Sequence, residues 1–299
     1  MPNDKLKNYL QLHFIIFIWG FTAILGKLIS IDAIPLVWYR MLIASLFVLL
    51  YIVLKKFSLR VSLKTLSLFV LGGGLIMMHW WTFFQAIKVS NVSITLAMMS
   101  TGAFFTAILE PIWYKRKVIW YELVFGLIVI VGLYIIFKVE KAYLSGILLA
   151  LTSALLSSIF SLLNSKLVKQ HNPSVISFYE LLAGSFFLTL FLSANKDFSQ
   201  EFFQLNSSDW IFILILAIIC TAYAFITSVK VMKFISPYTV MLSINMEPVY
   251  GILLAYFILG ETEKMSTSFY LGAGVILCTV IANGVLKNIV KTKPNYFRQ

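Results

Sequence analysis

Glu247 and Pro248 are the residues whose types and spacing point first to chemistry. They stand side by side in an apolar stretch, residues 237–261, long enough to cross a bilayer. Glu247 follows Pro237 by ten positions, which at about 1.5 Å per residue sets it roughly 15 Å into a hydrocarbon layer about 30 Å thick. An ionisable group at that depth persists when it faces a bundle interior or a watery cavity. Pro248 removes a backbone donor and weakens the helix at the same level. A carboxylate beside a broken helix at midplane is the pattern of a transport site. Two uses are open to it. Burial disfavours the charged form, so the carboxyl can take up and release a proton; ionised, it can attract the amino group of a zwitterionic substrate. The plainer alternative is a hydrogen-bonded Glu that only holds helices together.

A carboxylate alone does not make a binding site, so its companions matter. The third apolar run contains His79 and Trp80, which put a polar ring and an indole near midplane. With Thr101, Tyr223, Asn245 and Tyr250 they would complete a cavity of the usual kind, apolar with a few placed polar groups, in which Trp80 and Tyr250 hold the apolar part of a substrate. Arg40 lies about six residues, or roughly 9 Å, into the second run; it either joins this site or pairs with carbonyls and snorkels outward. Glu180 lies at a similar depth in the seventh run but enters from the opposite face. The glycines 72–74 suit close helix packing better than a phosphate loop, since no helix start with a following Lys accompanies them. His13, His79 and His171 lack metal-ligand spacing, so no metal and no cofactor are expected.

The elements that must carry these residues are set by composition. Of 299 residues, 60% are hydrophobic and 12% charged, with a mean hydropathy of +0.92, a balance no soluble domain has. Ten apolar runs follow one another: residues 11–30, 34–54, 65–86, 92–113, 119–137, 144–165, 174–194, 210–230, 237–259 and 268–286. The longest connection, 195–209, is too short for an extramembrane domain, and no nucleotide-binding motif occurs, so ATP hydrolysis is not expected. The net charge of +12 raises the question of nucleic acid, and its placement answers it. With a cytoplasmic N-terminus, 17 of the 24 Lys and Arg fall on the inner side and 6 on the outer, leaving Arg40 inside a span. This asymmetry predicts a multi-pass protein of the inner (plasma) membrane with both termini cytoplasmic, partnered by the lipid bilayer and not by nucleic acid.

The two halves match weakly but in order. Gly-Lys-Leu-Ile at 26–29 resembles Ser-Lys-Leu-Val at 165–168, and Gly126 aligns with Gly272 at an offset of 146 (272 − 126). Five spans per half force the second to enter from the opposite side, which predicts an inverted repeat divided as 1–140 and 141–299. At the same offset Glu247-Pro248 falls opposite Thr101-Gly102, so two midplane breaks are expected to face each other.

Trp19-Gly20 in the first span, Pro35 followed by Arg40 in the second, Pro248 in the ninth, Gly260-Glu261 at its end and Gly272 opening the tenth together resemble the EamA-type transporters of the drug/metabolite transporter superfamily. The resemblance covers nearly the whole chain. It implies an all-α, ten-helix permease that moves amino acids or other small metabolites, commonly outward, through a cavity between two five-helix halves. A small-molecule substrate is expected, with proton coupling open and the state either monomer or homodimer. Two other classes compete. A lipid-modifying membrane enzyme needs carboxylate pairs or nucleophile and base sets at the membrane surface, and the 12 acidic residues are not arranged that way. A passive channel wants a ring of like residues in an oligomer. The chain is therefore expected not to be an enzyme.

Overall fold

The computed structural model describes residues 2–115, 120–139, 141–235, 240, 243–244 and 246–292, and every regular element among them is helical. In order these are α1 (Pro2–Leu28), α2 (Ala33–Leu54), α3 (Leu63–Val89), α4 (Val92–Met99), α5 (Gly102–Tyr114), α6 (Trp120–Val139), α7 (Leu144–Leu167), α8 (Pro173–Asn195), the single turn α9 (Gln200–Phe203), α10 (Ser207–Ala217), a π-helical stretch (Ile218–Tyr223), α11 (Ala224–Val231), α12 (Met246–Leu259) and α13 (Thr267–Thr292). The pair α4 and α5 forms one span with a break at Ser100-Thr101. Likewise α10, the π turn and α11 form another. Seven spans are long and apolar enough to cross a membrane, and shorter apolar helices at Val124–Ile136, Met246–Leu259 and Thr267–Thr279 complete the ten runs.

Local chemistry sets where these helices begin. Ser62, Asn91, Asn172 and Asn206 each accept a hydrogen bond from a backbone N–H of the first turn that follows, satisfying donors that a helix start leaves unpaired. Pro173 at the first position of α8 lacks such a donor altogether. The outward faces of these helices are apolar as well. Leu46, Leu50, Leu71, Phe186 and Phe257 point outward, an arrangement suited to hydrocarbon and not to water.

The packing repeats itself. α1 packs on α12 as α7 packs on α4 and α5; α3 packs on α7 as α1 packs on α11; α3 packs on α8 as α2 packs on α10 and the π turn; and α2 meets α8, α4 meets α12, α6 meets α13. Exchanging each span for the one five later maps these contacts onto one another, as an internal two-fold does. At the α6–α13 contact Gly132 and Gly272 face each other so closely that a Cβ on either would sit 3.0 Å from the other's carbonyl oxygen. Small residues allow such backbone approach in lipid, where helices gain little from the hydrophobic effect.

Candidate substrate cavity

The second span buries Arg40 almost completely, at 2% exposure. Its Nε donates to Thr221 Oγ1 at 2.6 Å. The guanidinium lies over the Trp80 ring, 3.8 Å from the centroid, with Phe84 at 5.4 Å, a contact that favours Arg over other cations. Thr221 reaches it from the π turn, where its own hydroxyl donates to the Leu216 carbonyl five residues back at 2.7 Å. Such wide turns recur at functional positions because they re-aim side chains. The Nη1 of Arg40 is buried without a hydrogen-bond partner, an arrangement that costs stability unless an acceptor is supplied.

Arg40 lines a partly open cavity that runs between α1, α2, α3, α4, α7, α11, α12 and the residue Ile244 just before α12. Trp19, Trp80, Phe83, Phe160 and Phe225 make the walls aromatic, and Ser157, Ser161 and Ser228 add hydroxyls. Phe160 stacks on Phe225 at 5.5 Å, and Trp80 meets Phe225 edge-on at 5.8 Å. His79 is held by α7: Ser153 Oγ donates to the His79 carbonyl at 2.9 Å, while His79 Nδ1 faces Ser153 Oγ at 2.8 Å and its carbonyl at 3.0 Å. With the serine proton committed to the carbonyl, this network assigns the ring hydrogen to Nδ1 and leaves Nε2 as an acceptor.

Glu247, buried in the first turn of α12, lines the same cavity. Arg40 and Glu247 lie within electrostatic range of one another. No direct ion pair joins them among the described residues. Two buried opposite charges that share a cavity without touching leave room for a ligand that satisfies both.

Of the residues singled out from sequence, Arg40, His79, Trp80 and Glu247 are brought together at this cavity, with Pro248 buried beside Glu247. Others are placed elsewhere. Thr101 is buried at the α4–α5 break, where its hydroxyl donates to the Met98 carbonyl at 2.7 Å and Met99 takes the cavity wall. Tyr250 sits one turn beyond Glu247 and packs edge-on against Phe17 at 5.6 Å, outside the lining. Tyr223 is 45% exposed and faces Phe14; two residues after Thr221, it falls on the opposite side of its span. Asn245 lies outside the described residues. The α7 contribution was missed, although Ser157, Ser161 and Ser165 at successive i+4 positions mark a polar stripe.

Apolar helices packed as two matching halves around a buried aromatic cavity define a polytopic membrane architecture. The chain belongs to the EamA-like transporter family, whose profile matches residues 7–138 and 144–284, and with it to the drug/metabolite transporter superfamily. An uncharacterized transporter of Archaeoglobus fulgidus is 25% identical over 191 residues, covering 62% of this chain and 68% of that protein. A solved crystal structure of a protein 16% identical shares the fold, with a TM-score of 0.69 over 94% of this chain and 98% of the other. The protein is thus a multi-pass membrane transporter.

Proposed function

We propose that the chain is a secondary transporter that carries a small zwitterionic or amphipathic metabolite outward across the plasma membrane, by rocking of its halves, residues 1–140 and 141–299. One observation carries the reading: a buried guanidinium with one unpartnered nitrogen and a buried carboxyl share one aromatic-walled cavity without pairing. Arg40 suits a carboxylate or other anionic group of the substrate, Glu247 its amino group, and the aromatic faces its apolar body. Glu247 holds either the amine or a proton, which couples the two. Neither a surface enzyme nor a passive pore needs such a closed pair of opposite charges.

The test begins with metabolite profiling of cells that lack or overproduce the protein. A compound retained in the first and excreted by the second is then assayed by counterflow in proteoliposomes. Excretion of an amino compound with an apolar side chain is the expected result; counterflow confined to lipids, or an unchanged profile with functional protein in the membrane, sinks the proposal. Orientation has its own check. The charge asymmetry supports cytoplasmic termini, so a cysteine introduced at Ser199, in the turn before α9, should be labelled from outside intact spheroplasts and one at Lys291 should not. The reverse pattern overturns the orientation.

A further inference from the structure

Glu180 is completely buried in α8, away from the cavity, and the transport chemistry above does not use it. Its Oε1 accepts from Asn164 Nδ2 of α7 at 2.8 Å. Its Oε2 and the Asn164 Oδ1 are both buried without partners. A carboxylate offers only acceptors, so ionised Glu180 leaves Oε2 buried without a donor. A single proton on Oε2 turns that oxygen into a donor while the amide still donates to Oε1.

The place of this pair in the fold gives the proton a consequence. Glu180 rests where α3 crosses α8: a Cβ at Gly72 would lie 2.2 Å from Glu180 Oε1, one at Gly73 would lie 2.5 Å from the Glu180 carbonyl oxygen, and one at Gly184 would lie 3.0 Å from the Gly73 carbonyl oxygen. The crossing joins the first five spans to the second five, so it must slide or part if the halves rock. The charged groups on the surrounding helices are Arg40 on α2; Lys64, His79 and Lys88 on α3; Lys166 on α7; and Lys230 on α11. Arg40 is engaged by Thr221 and Trp80, His79 by Ser153, Lys88 by the Ile29 carbonyl and Lys166 by the Trp113 and Tyr114 rings. None makes an ion pair or hydrogen bond with the Glu180 carboxyl among the described residues. The adjacent Tyr179 hydroxyl donates instead to the Leu59 carbonyl at 2.8 Å.

We infer that Glu180 and Asn164 form a second proton-binding site, separate from the substrate cavity, which closes the α3–α8 crossing when protonated and releases its proton to water only when that crossing opens. Protonation is thereby tied to the movement of the halves and not to the substrate. The inference goes beyond the proposed function and is tested without any substrate. Infrared spectra of the full-length protein in proteoliposomes should show the carbonyl band of a protonated carboxylic acid at neutral pH. That band should be lost in Glu180→Gln, kept in Glu247→Gln, and shifted in Asn164→Ala, where the acid loses its amide partner. Glu180→Gln carries an amide where the protonated acid stands, so it should fold and show a melting temperature less dependent on pH than the parent's; its turnover should fall by about tenfold or more, because the closed arrangement no longer has a proton to lose. An unchanged band in a folded Glu180→Gln protein, or a wild-type rate and pH profile for that variant, overturns the inference. If Glu180→Gln does not fold, the band shift in Asn164→Ala decides alone, and its absence is equally fatal.

Discussion

Replacing Arg40 with alanine is expected to weaken substrate binding by on the order of a hundredfold or more. Truncating one member of a buried, hydrogen-bonded charge pair costs about 2–5 kcal/mol, and each 1.4 kcal/mol or so is a factor of ten in affinity. Two effects combine here. The substrate's anionic group loses its counter-charge, and Glu247 is left in an apolar cavity with no other cation within electrostatic range among the described residues. The alanine variant also leaves the Trp80 face and Thr221 Oγ1 without their partner, so its folding must be verified by size-exclusion chromatography and thermal melting. Arg40→Lys keeps the charge but loses the planar fork that lies on the indole while donating through Nε; its affinity should fall nearly as far. Binding is read by quenching of cavity tryptophan fluorescence or by calorimetry in detergent, and transport by uptake into proteoliposomes. Wild-type affinity in a folded Arg40→Lys protein would mean that the charge alone suffices, whereas wild-type affinity in a folded Arg40→Ala protein would reduce Arg40 to a packing residue and send the search for the anion subsite to hydroxyl donors of the cavity wall such as Ser157.

Much of this arrangement was legible in the sequence, for reasons that differ from residue to residue. The ten runs are visible because a spanning helix needs a fixed length of apolar side chains, whatever it packs against. The fourth-span break is legible too: the offset between the halves sets Thr101-Gly102 opposite Glu247-Pro248, and the helix does part at Ser100-Thr101. Buried charges advertise themselves by cost, which is how Arg40 and Glu247 stand out. What the sequence hides is phase and partnership. Ile218–Tyr223 contains neither Pro nor Gly, yet it winds as a π helix, and this turn gives Arg40 its acceptor in Thr221. Tyr223 looks equally suited to a cavity, but an apolar helix with no polar face provides no moment by which to tell inward from outward. Glu180 shows its depth in the sequence and not its partner, because Asn164 is brought to it only by the packing of α7 against α8 and α3.

Glu247→Gln is expected to keep the fold while losing most of the transport rate and the pH dependence of amino-substrate binding. The amide has the shape of the acid and most of its hydrogen bonding, so the cavity wall is preserved, but it neither titrates nor attracts an amine as a carboxylate does. In the parent protein a proton and the substrate's amino group compete for one carboxyl. Acidification therefore fills the carboxyl with protons, and the apparent Kd of an amino substrate rises as pH falls. In the Gln variant the Kd should be high at every pH, with a flat profile. A substrate bearing no amino group should lose little on the same substitution, since Arg40 and the aromatic walls still hold it; that contrast separates loss of the charge from general damage to the cavity. The measurement is equilibrium binding across a pH series, followed by counterflow at matched substrate occupancy. Should the folded Gln variant transport at the parental rate with the parental pH profile, Glu247 only braces α12 against its neighbours, and both the coupling and the amine subsite must be assigned to other groups.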